Sequence, residues 1–245
     1  MKRLIEMILP VIIGIMVHKR ESLTLKERRA QDEFIKTLKI VSRKTKKPVV
    51  TAIIGLVGSG KSSVTQELAK LLPATIIEGD SIRVQLRKQS ERYEGARKIA
   101  ENAVLKVIEQ GGNVILDSDH IDQKKRASLR EKVKQTGAKL VFIRTHTDYD
   151  VMAGRAIGVE YRPSEDDFFG GAGLKSKWQG SNPGAVVKLR EMWRRTPNHY
   201  QWENKVGGRW ILKKLPFKVF ATVNTIDENK WKAKIRKIAE RILQF

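Results

Sequence analysis

Short apolar runs, rich in β-branched residues, recur at 49–54, 75–78, 113–117, 139–143 and 218–223. Between them, apolar positions recur at helical spacing over 62–72, 81–110, 123–136 and 228–243. The short runs read as strands and the longer periodic segments as helices. Strands that are apolar throughout are covered on both faces, so the alternation predicts an α/β fold in three layers, with a five-stranded parallel sheet between helices. Upstream, Thr24 followed by Glu27 forms a capping box. It would open a polar-faced helix with Leu25, Phe34, Ile35 and Leu38 available for burial. The basic stretch 43–47, closed by Pro48, reads as a linker. One segment breaks the alternation: 158–184 is rich in Gly, Ser and Pro and poor in apolar periodicity, as functional loops or disordered segments are. The expected organisation is an apolar segment at 1–20, a helix and basic linker at 21–47, and the main domain at 48–245. Its lid region, an insertion at about 150–200, falls between strands four and five.

Charge and composition change this picture at three points. At the N-terminus, Lys2 and Arg3 precede an apolar stretch broken by Glu6, leaving 7–17 uninterrupted. That is shorter than the ~20 residues a spanning helix needs. No small-x-small cleavage site follows, and His18, Lys19, Arg20, Lys26, Arg28 and Arg29 give a positive flank that favours cytoplasmic retention. Residues 4–17 therefore tether the chain to the inner face of a membrane, cross it as a short tilted span or pack on the domain, and secretion is disfavoured. The absence of cysteine among 245 residues excludes disulfides, thiolate metal sites and cysteine nucleophiles. Four scattered histidines argue against a transition-metal site. A net charge of +22 suits a polyanionic partner, nucleic acid or an anionic membrane, and equally a lysine-rich bias with a basic nucleotide site.

The segment Gly55-Leu56-Val57-Gly58-Ser59-Gly60-Lys61-Ser62 matches G-x-x-x-x-G-K-[ST], with an apolar strand before it and a helical pattern after it. Glycines at 55, 58 and 60 free the backbone N–H groups, together with those of Ser59 and Ser63, to point at phosphate oxygens. The new helix adds its positive end. Lys61 would reach the β- and γ-phosphates of ATP, and the Ser62 hydroxyl would ligate Mg²⁺. Beyond the second strand come Gly79-Asp80-Ser81-Ile82-Arg83. Residues just past the carboxyl ends of parallel strands face the ligand. There, Asp80 can orient an acceptor hydroxyl for in-line attack, and Arg83, one turn on, can hold an anionic group of the acceptor. The plainer alternative is that Asp80 only N-caps the following helix.

Gly-x-x-x-x-Gly-Lys-Ser followed by Gly-Asp-x-x-Arg resembles the adenylate-kinase-like branch of P-loop kinases. It is similar in particular to the group of polynucleotide 5′-hydroxyl kinases, zeta-toxin kinases and adenylylsulfate kinases, over roughly residues 48 to 245. The resemblance implies that Asp80 is the acceptor-hydroxyl base and that Arg83 binds the acceptor's phosphate. More loosely, Val114-Ile115-Leu116-Asp117-Ser118-Asp119 with Arg126 and Arg130 resembles the third strand and following helix of these kinases. Asp117 would then hold water on Mg²⁺, and Asp119 would contact the acceptor. Arg155, with Arg162 as a second candidate, takes the place of a lid arginine that neutralises the transferring phosphoryl group. An arginine-rich lid of the polynucleotide-kinase type is missing, and the lid region carries Glu160, Glu165, Asp166 and Asp167 beside Phe168 and Phe169.

The cluster Lys188, Arg190, Trp193, Arg194, Arg195, His199, Tyr200 and Trp202 interleaves cations with aromatics, as nucleic-acid surfaces do. The i, i+3, i+7 spacing of Val186, Leu189 and Trp193 favours a helix packing that stripe inward. The function expected is therefore an ATP- and Mg²⁺-dependent kinase acting on a nucleotide, a nucleic-acid 5′ end or a phosphorylated metabolite. The alternative is a P-loop switch or nucleic-acid-associated ATPase. Asn204-Lys205-Val206-Gly207 lacks the aspartate of a guanine-reading loop, and Ser118 stands where a motor would place a water-activating glutamate.

Overall fold

The computed structural model describes residues 19–161, 164–173, 183–205 and 207–245. The apolar segment 4–17, together with Arg162, lies outside them. Among the described residues, no helix is long and apolar enough to cross a membrane. The elements run α1 (Leu25–Thr37), β1 (Val49–Ile54), α2 (Lys61–Leu71), β2 (Thr75–Glu78), α3 (Gly79–Lys88), α4 (Ala96–Glu109), β3 (Val114–Asp117), α5 (Gln123–Gln135) and β4 (Lys139–His146). Then follow α6 (Tyr149–Gly158), a 3-10 turn (Gly170–Gly173), α7 (Pro183–His199), β5 (Tyr200–Glu203), β6 (Arg209–Leu212), β7 (Ala221–Asn224) and α8 (Glu228–Leu243).

Five strands form a parallel sheet in the order β2-β3-β1-β4-β7, and β5 pairs antiparallel with β6 as a separate hairpin. All six residues of β1 are buried. Successive side chains point to opposite faces, and the two cores follow that parity. Val50, Ala52 and Ile54 meet Phe34, Ile82, Ile99 and Leu129 from α1, α3, α4 and α5. Val49 and Ile53 meet Val64 and Leu68 of α2 and Trp231, Ile235 and Ile238 of α8. This is the predicted three-layer fold, with the insertion between β4 and β7.

Three local expectations are corrected. Leu25 is 66% exposed, because it sits one residue past the Thr24 cap on the solvent side, whereas Phe34 is buried. The stretch 43–47 is not a free linker. Arg43 N–H bonds Gly111 O at 3.1 Å, and the Thr45 hydroxyl bonds Asn113 Oδ1 at 2.9 Å, which ties the stretch to the start of β3. The stripe Val186–Leu189–Trp193 does not face inward: Val186 is 51% and Trp193 73% exposed. The buried face of α7 is Ala185, Met192, Thr196 and His199, one position away, because small and polar residues fill the space against α6 and β5.

Candidate active site

The loop after β1 is shaped by three glycines and gripped from three elements. A Cβ on Gly55 would stand 2.2 Å from Thr145 Oγ1 of β4. Gly58 and Gly60 hold φ of +80° and +82°, the left-handed region that a side chain strains. The buried Ser59 hydroxyl bonds Thr145 Oγ1 at 2.8 Å, and Thr225, just past β7, donates to Ser59 O at 3.1 Å. Its N–H is turned back to Leu56 O at 3.1 Å, so the Ser59 amide closes the loop. In α2 the first backbone bond runs from Val64 N–H to Gly60 O. Helix geometry therefore leaves the amides of Lys61, Ser62 and Ser63 without carbonyl partners in the helix, at its positive end. The Lys61 ammonium folds back onto Leu56 O at 3.0 Å.

This loop forms one end of a cavity of about 1040 Å³, whose other end carries Asp80 and Arg83. Asp80 lies in the first turn of α3, where the N-cap position is occupied by Glu78. The plain capping role for Asp80 is thereby removed. Its side chain is 51% exposed and accepts from Arg83 Nη1 at 2.6 Å. Asp117, at the end of β3, lines the same cavity below Lys61 and Ser62. Burial pushes its carboxyl above the usual range, while the Lys61 charge and the Ser62 hydroxyl pull the other way.

Asp119 does not offer its carboxylate to an acceptor. The side chain is 1% exposed; Oδ1 accepts from Gly55 N–H at 3.3 Å and Ile121 N–H at 3.2 Å. Oδ2 accepts from His199 Nε2 at 3.0 Å, with Arg195 at 3.7 Å. Burial alone would raise this carboxyl, but the hydrogen bond and charge of His199, with Lys61 and Arg195, hold it well below the carboxylate range. The pair ties the last residue of α7 to the first glycine of the loop, and nothing in the spacing of residues 80 apart announces it. Beside it, Lys125 Nζ donates to Ser118 Oγ at 2.5 Å and Asp119 O at 2.8 Å, and burial brings its pKa down to about 8. The buried His120 Nδ1–H faces the carbonyls of Ser118 at 2.7 Å and Ile53 at 3.1 Å, and burial lowers its pKa to about 3.

Arg155 of α6 is held at the loop. Its Nη1 donates to Gly58 O at 3.2 Å and Thr225 Oγ1 at 2.9 Å, and its Nη2 to Thr225 O at 2.7 Å. Arg126 is a structural residue: it donates to the carbonyls of His120 and Ile121 and stacks 3.7 Å from the Phe217 ring centroid. Arg130 lies over Phe142. Neither borders the cavity. The segment 164–173 closes over α3, because Arg87 donates to the carbonyls of Glu165, Asp167 and Phe168 at 2.7, 2.8 and 3.0 Å. Phe168 lies 5.5 Å from the Arg83 guanidinium and edge-on to Tyr93. Arg87, one turn after Arg83 on the same helix face, was legible only as a second cation there.

Residues 50–166 match a family model described as AAA domain. No curated protein matches the chain in sequence. Among solved structures, the crystal structure of APE1195 is 16% identical and covers 81% of this chain and 98% of its own, with a TM-score of 0.53. A gluconokinase from Sinorhizobium meliloti 1021 (16% identical, 80% and 94% covered, TM-score 0.45) is similar too. So is the APS kinase CysC of Mycobacterium tuberculosis, in complex with AMPPNP and APS (17%, 80% and 95%, 0.46). With its glycine loop after β1, its sheet order and the AAA-domain match over residues 50–166, the chain has a P-loop α/β fold.

Proposed function

We propose that the chain is an ATP-dependent kinase that transfers a γ-phosphoryl group to a hydroxyl of a nucleotide, a nucleic-acid 5′ end or a small phosphorylated metabolite. The observation that carries this reading is a single cavity with a phosphate-binding loop at one end and the exposed Asp80–Arg83 pair at the other. A hydrolase needs only the first.

The unpartnered amides at the start of α2 and the Lys61 ammonium receive the β- and γ-phosphates. Asp80 accepts the proton of the acceptor hydroxyl as the new O–P bond forms. The bond from phosphorus to the β–γ bridging oxygen breaks, and its electron pair leaves with ADP. Arg83, released from Asp80, holds an anionic group of the acceptor bidentately. Arg155, braced on Gly58 and Thr225, keeps the loop in shape and adds positive charge beside it.

The oxygen donors around Asp117 suit Mg²⁺: a buried carboxyl raised by desolvation sits beside the Ser62 hydroxyl and gains from a cation. Ser62 would hold the ion directly and Asp117 through water. The ion would neutralise phosphate charge. Among the described residues, no group of three or more acidic or histidine side chains could hold a metal.

The test is a transfer screen with γ-labelled ATP and Mg²⁺ over nucleosides, nucleotides, oligonucleotide 5′ ends and adenylylsulfate. Label on one acceptor class is expected. Label in free phosphate alone, across the whole panel, contradicts the kinase reading.

A further inference from the structure

Lys188 stands in α7 and lines the same cavity as Lys61 and Asp80. Its ammonium lies 5.1 Å from the ring centroids of both Tyr161 and Phe169. Among the described residues it has neither a carboxylate nor a hydrogen-bond acceptor. Of the other cavity cations, Arg83 is engaged by Asp80, Arg87 and Arg155 by carbonyls, and Arg195 lies beside Asp119, whereas Arg190 stands exposed to solvent. Lys188 is also half-buried, and an ammonium taken from water without a counterion costs free energy. Two aromatic faces return part of that and fix where the charge points. One of them, Phe169, belongs to the segment that Arg87 clamps to α3, so the platform is held in place.

The position of the charge selects its role. Burial pulls the Lys188 ammonium toward neutrality, the negative charge of Asp80 opposes that, and the positive charge of Lys61 adds to it. Lys188 therefore feels both the acceptor end and the donor end of the cavity. We infer that Lys188 contacts the phosphoryl group in flight between ATP and acceptor, opposite Lys61. This rests on the kinase reading of the cavity. During transfer, negative charge is spread over the three oxygens of the moving group. A cation without a carboxylate among the described residues, lining the cavity that holds both Lys61 and Asp80, meets that charge as it leaves the loop. Lys188 makes no bond and moves no proton. Phosphorus passes from the β–γ bridging oxygen to the acceptor oxygen, the electron pair leaves with ADP, and the acceptor proton goes to Asp80.

The test reads binding and needs no acceptor. Calorimetry on the full chain in Mg²⁺ compares ADP alone with ADP plus aluminium fluoride, a mimic of the moving phosphoryl group. For Lys188→Met, affinity for the aluminium fluoride complex should fall about 100-fold, the scale of losing one charge-stabilising donor. ADP affinity should stay within threefold, and Lys188→Arg should recover most of the loss. A Lys188→Met chain that keeps wild-type affinity for the fluoride complex overturns the inference. So does one that loses both ligands equally, which would make Lys188 a general nucleotide or packing residue. A wild-type chain that binds no ADP refutes the donor site itself, and the inference falls with it.

Discussion

Replacing His199 with alanine removes the imidazole that meets Asp119 inside the protein, and the cost can be worked from its surroundings. Both side chains are 1% exposed, and His199 Nε2 donates to Asp119 Oδ2 at 3.0 Å. Breaking a buried pair at one partner costs about 3–5 kcal/mol, because the other charge stays behind. Here Asp119 would keep the amides of Gly55 and Ile121 at 3.3 and 3.2 Å, and Arg195 at 3.7 Å. The cost should therefore fall at the lower end, about 3 kcal/mol. At roughly 2–4 °C per kcal/mol for a domain of this size, the melting temperature should drop by roughly 6–12 °C. Urea unfolding at pH 7.5, followed by tryptophan fluorescence, measures it, and the denaturant slope should be unchanged. In an Asp119→Asn background no buried charge is left behind, so the same His199→Ala change should cost about 1 kcal/mol, a coupling of about 2 kcal/mol. A single variant within 0.5 kcal/mol of wild type, or two changes that simply add, would refute the claim that this pair anchors α7 to the loop.

Three further outcomes follow from other contacts. Gly60→Ala puts a Cβ at φ +82° and 2.9 Å from Thr225, so it should cost about 1–3 kcal/mol in the same unfolding assay. A neutral change would contradict the loop geometry. His120 has a pKa of about 3 in the fold and about 6.5 unfolded, so only the unfolded chain takes its proton between those values. Stability carried by neutral His120 is thus complete above pH 6.5 and is lost on acidification, at up to ~1.4 kcal/mol per pH unit. His120→Gln should be less steep than wild type between pH 6.5 and 5, and parallel slopes would refute it. Arg87→Met removes three hydrogen bonds to the segment 164–173, so amide exchange over 167–171 should quicken at least tenfold. Unchanged exchange would show that another contact holds the segment.

The parts of the molecule set by local physics were readable in advance. β1 and β2 need continuous apolar residues to lie in a covered sheet, the loop needs its glycines, and α8 carries one apolar stripe between Asp227 and its end; all lie where the pattern places them. The last strand starts at Ala221 rather than 218, since Phe217 and Val219 instead pack on the core beside Phe142. The β5–β6 hairpin was missed. Each strand has four residues, and Tyr200 and Trp202 read as the end of the cation–aromatic cluster until Trp202 is seen edge-on to Trp210. The face of α7 was misjudged by one residue, because hydropathy ranks Trp193 above Ala185, Thr196 and His199, whereas fit against Leu56, Met152 and Tyr200 decides. Long-range pairings such as Asp119–His199, and the seat of Lys188 between Tyr161 and Phe169, exist only once the chain is folded.

In the proposed reaction one cavity joins a phosphate donor to a hydroxyl acceptor through Asp80. The most direct measurement is the Asp80→Asn variant, with ATP affinity and γ-label transfer followed side by side on the acceptor that wild type labels. ATP affinity should stay within twofold of wild type while transfer falls at least 100-fold, the loss of a base that acts only on the acceptor. Transfer at the wild-type rate, or ATP binding and transfer that fall together, would contradict it.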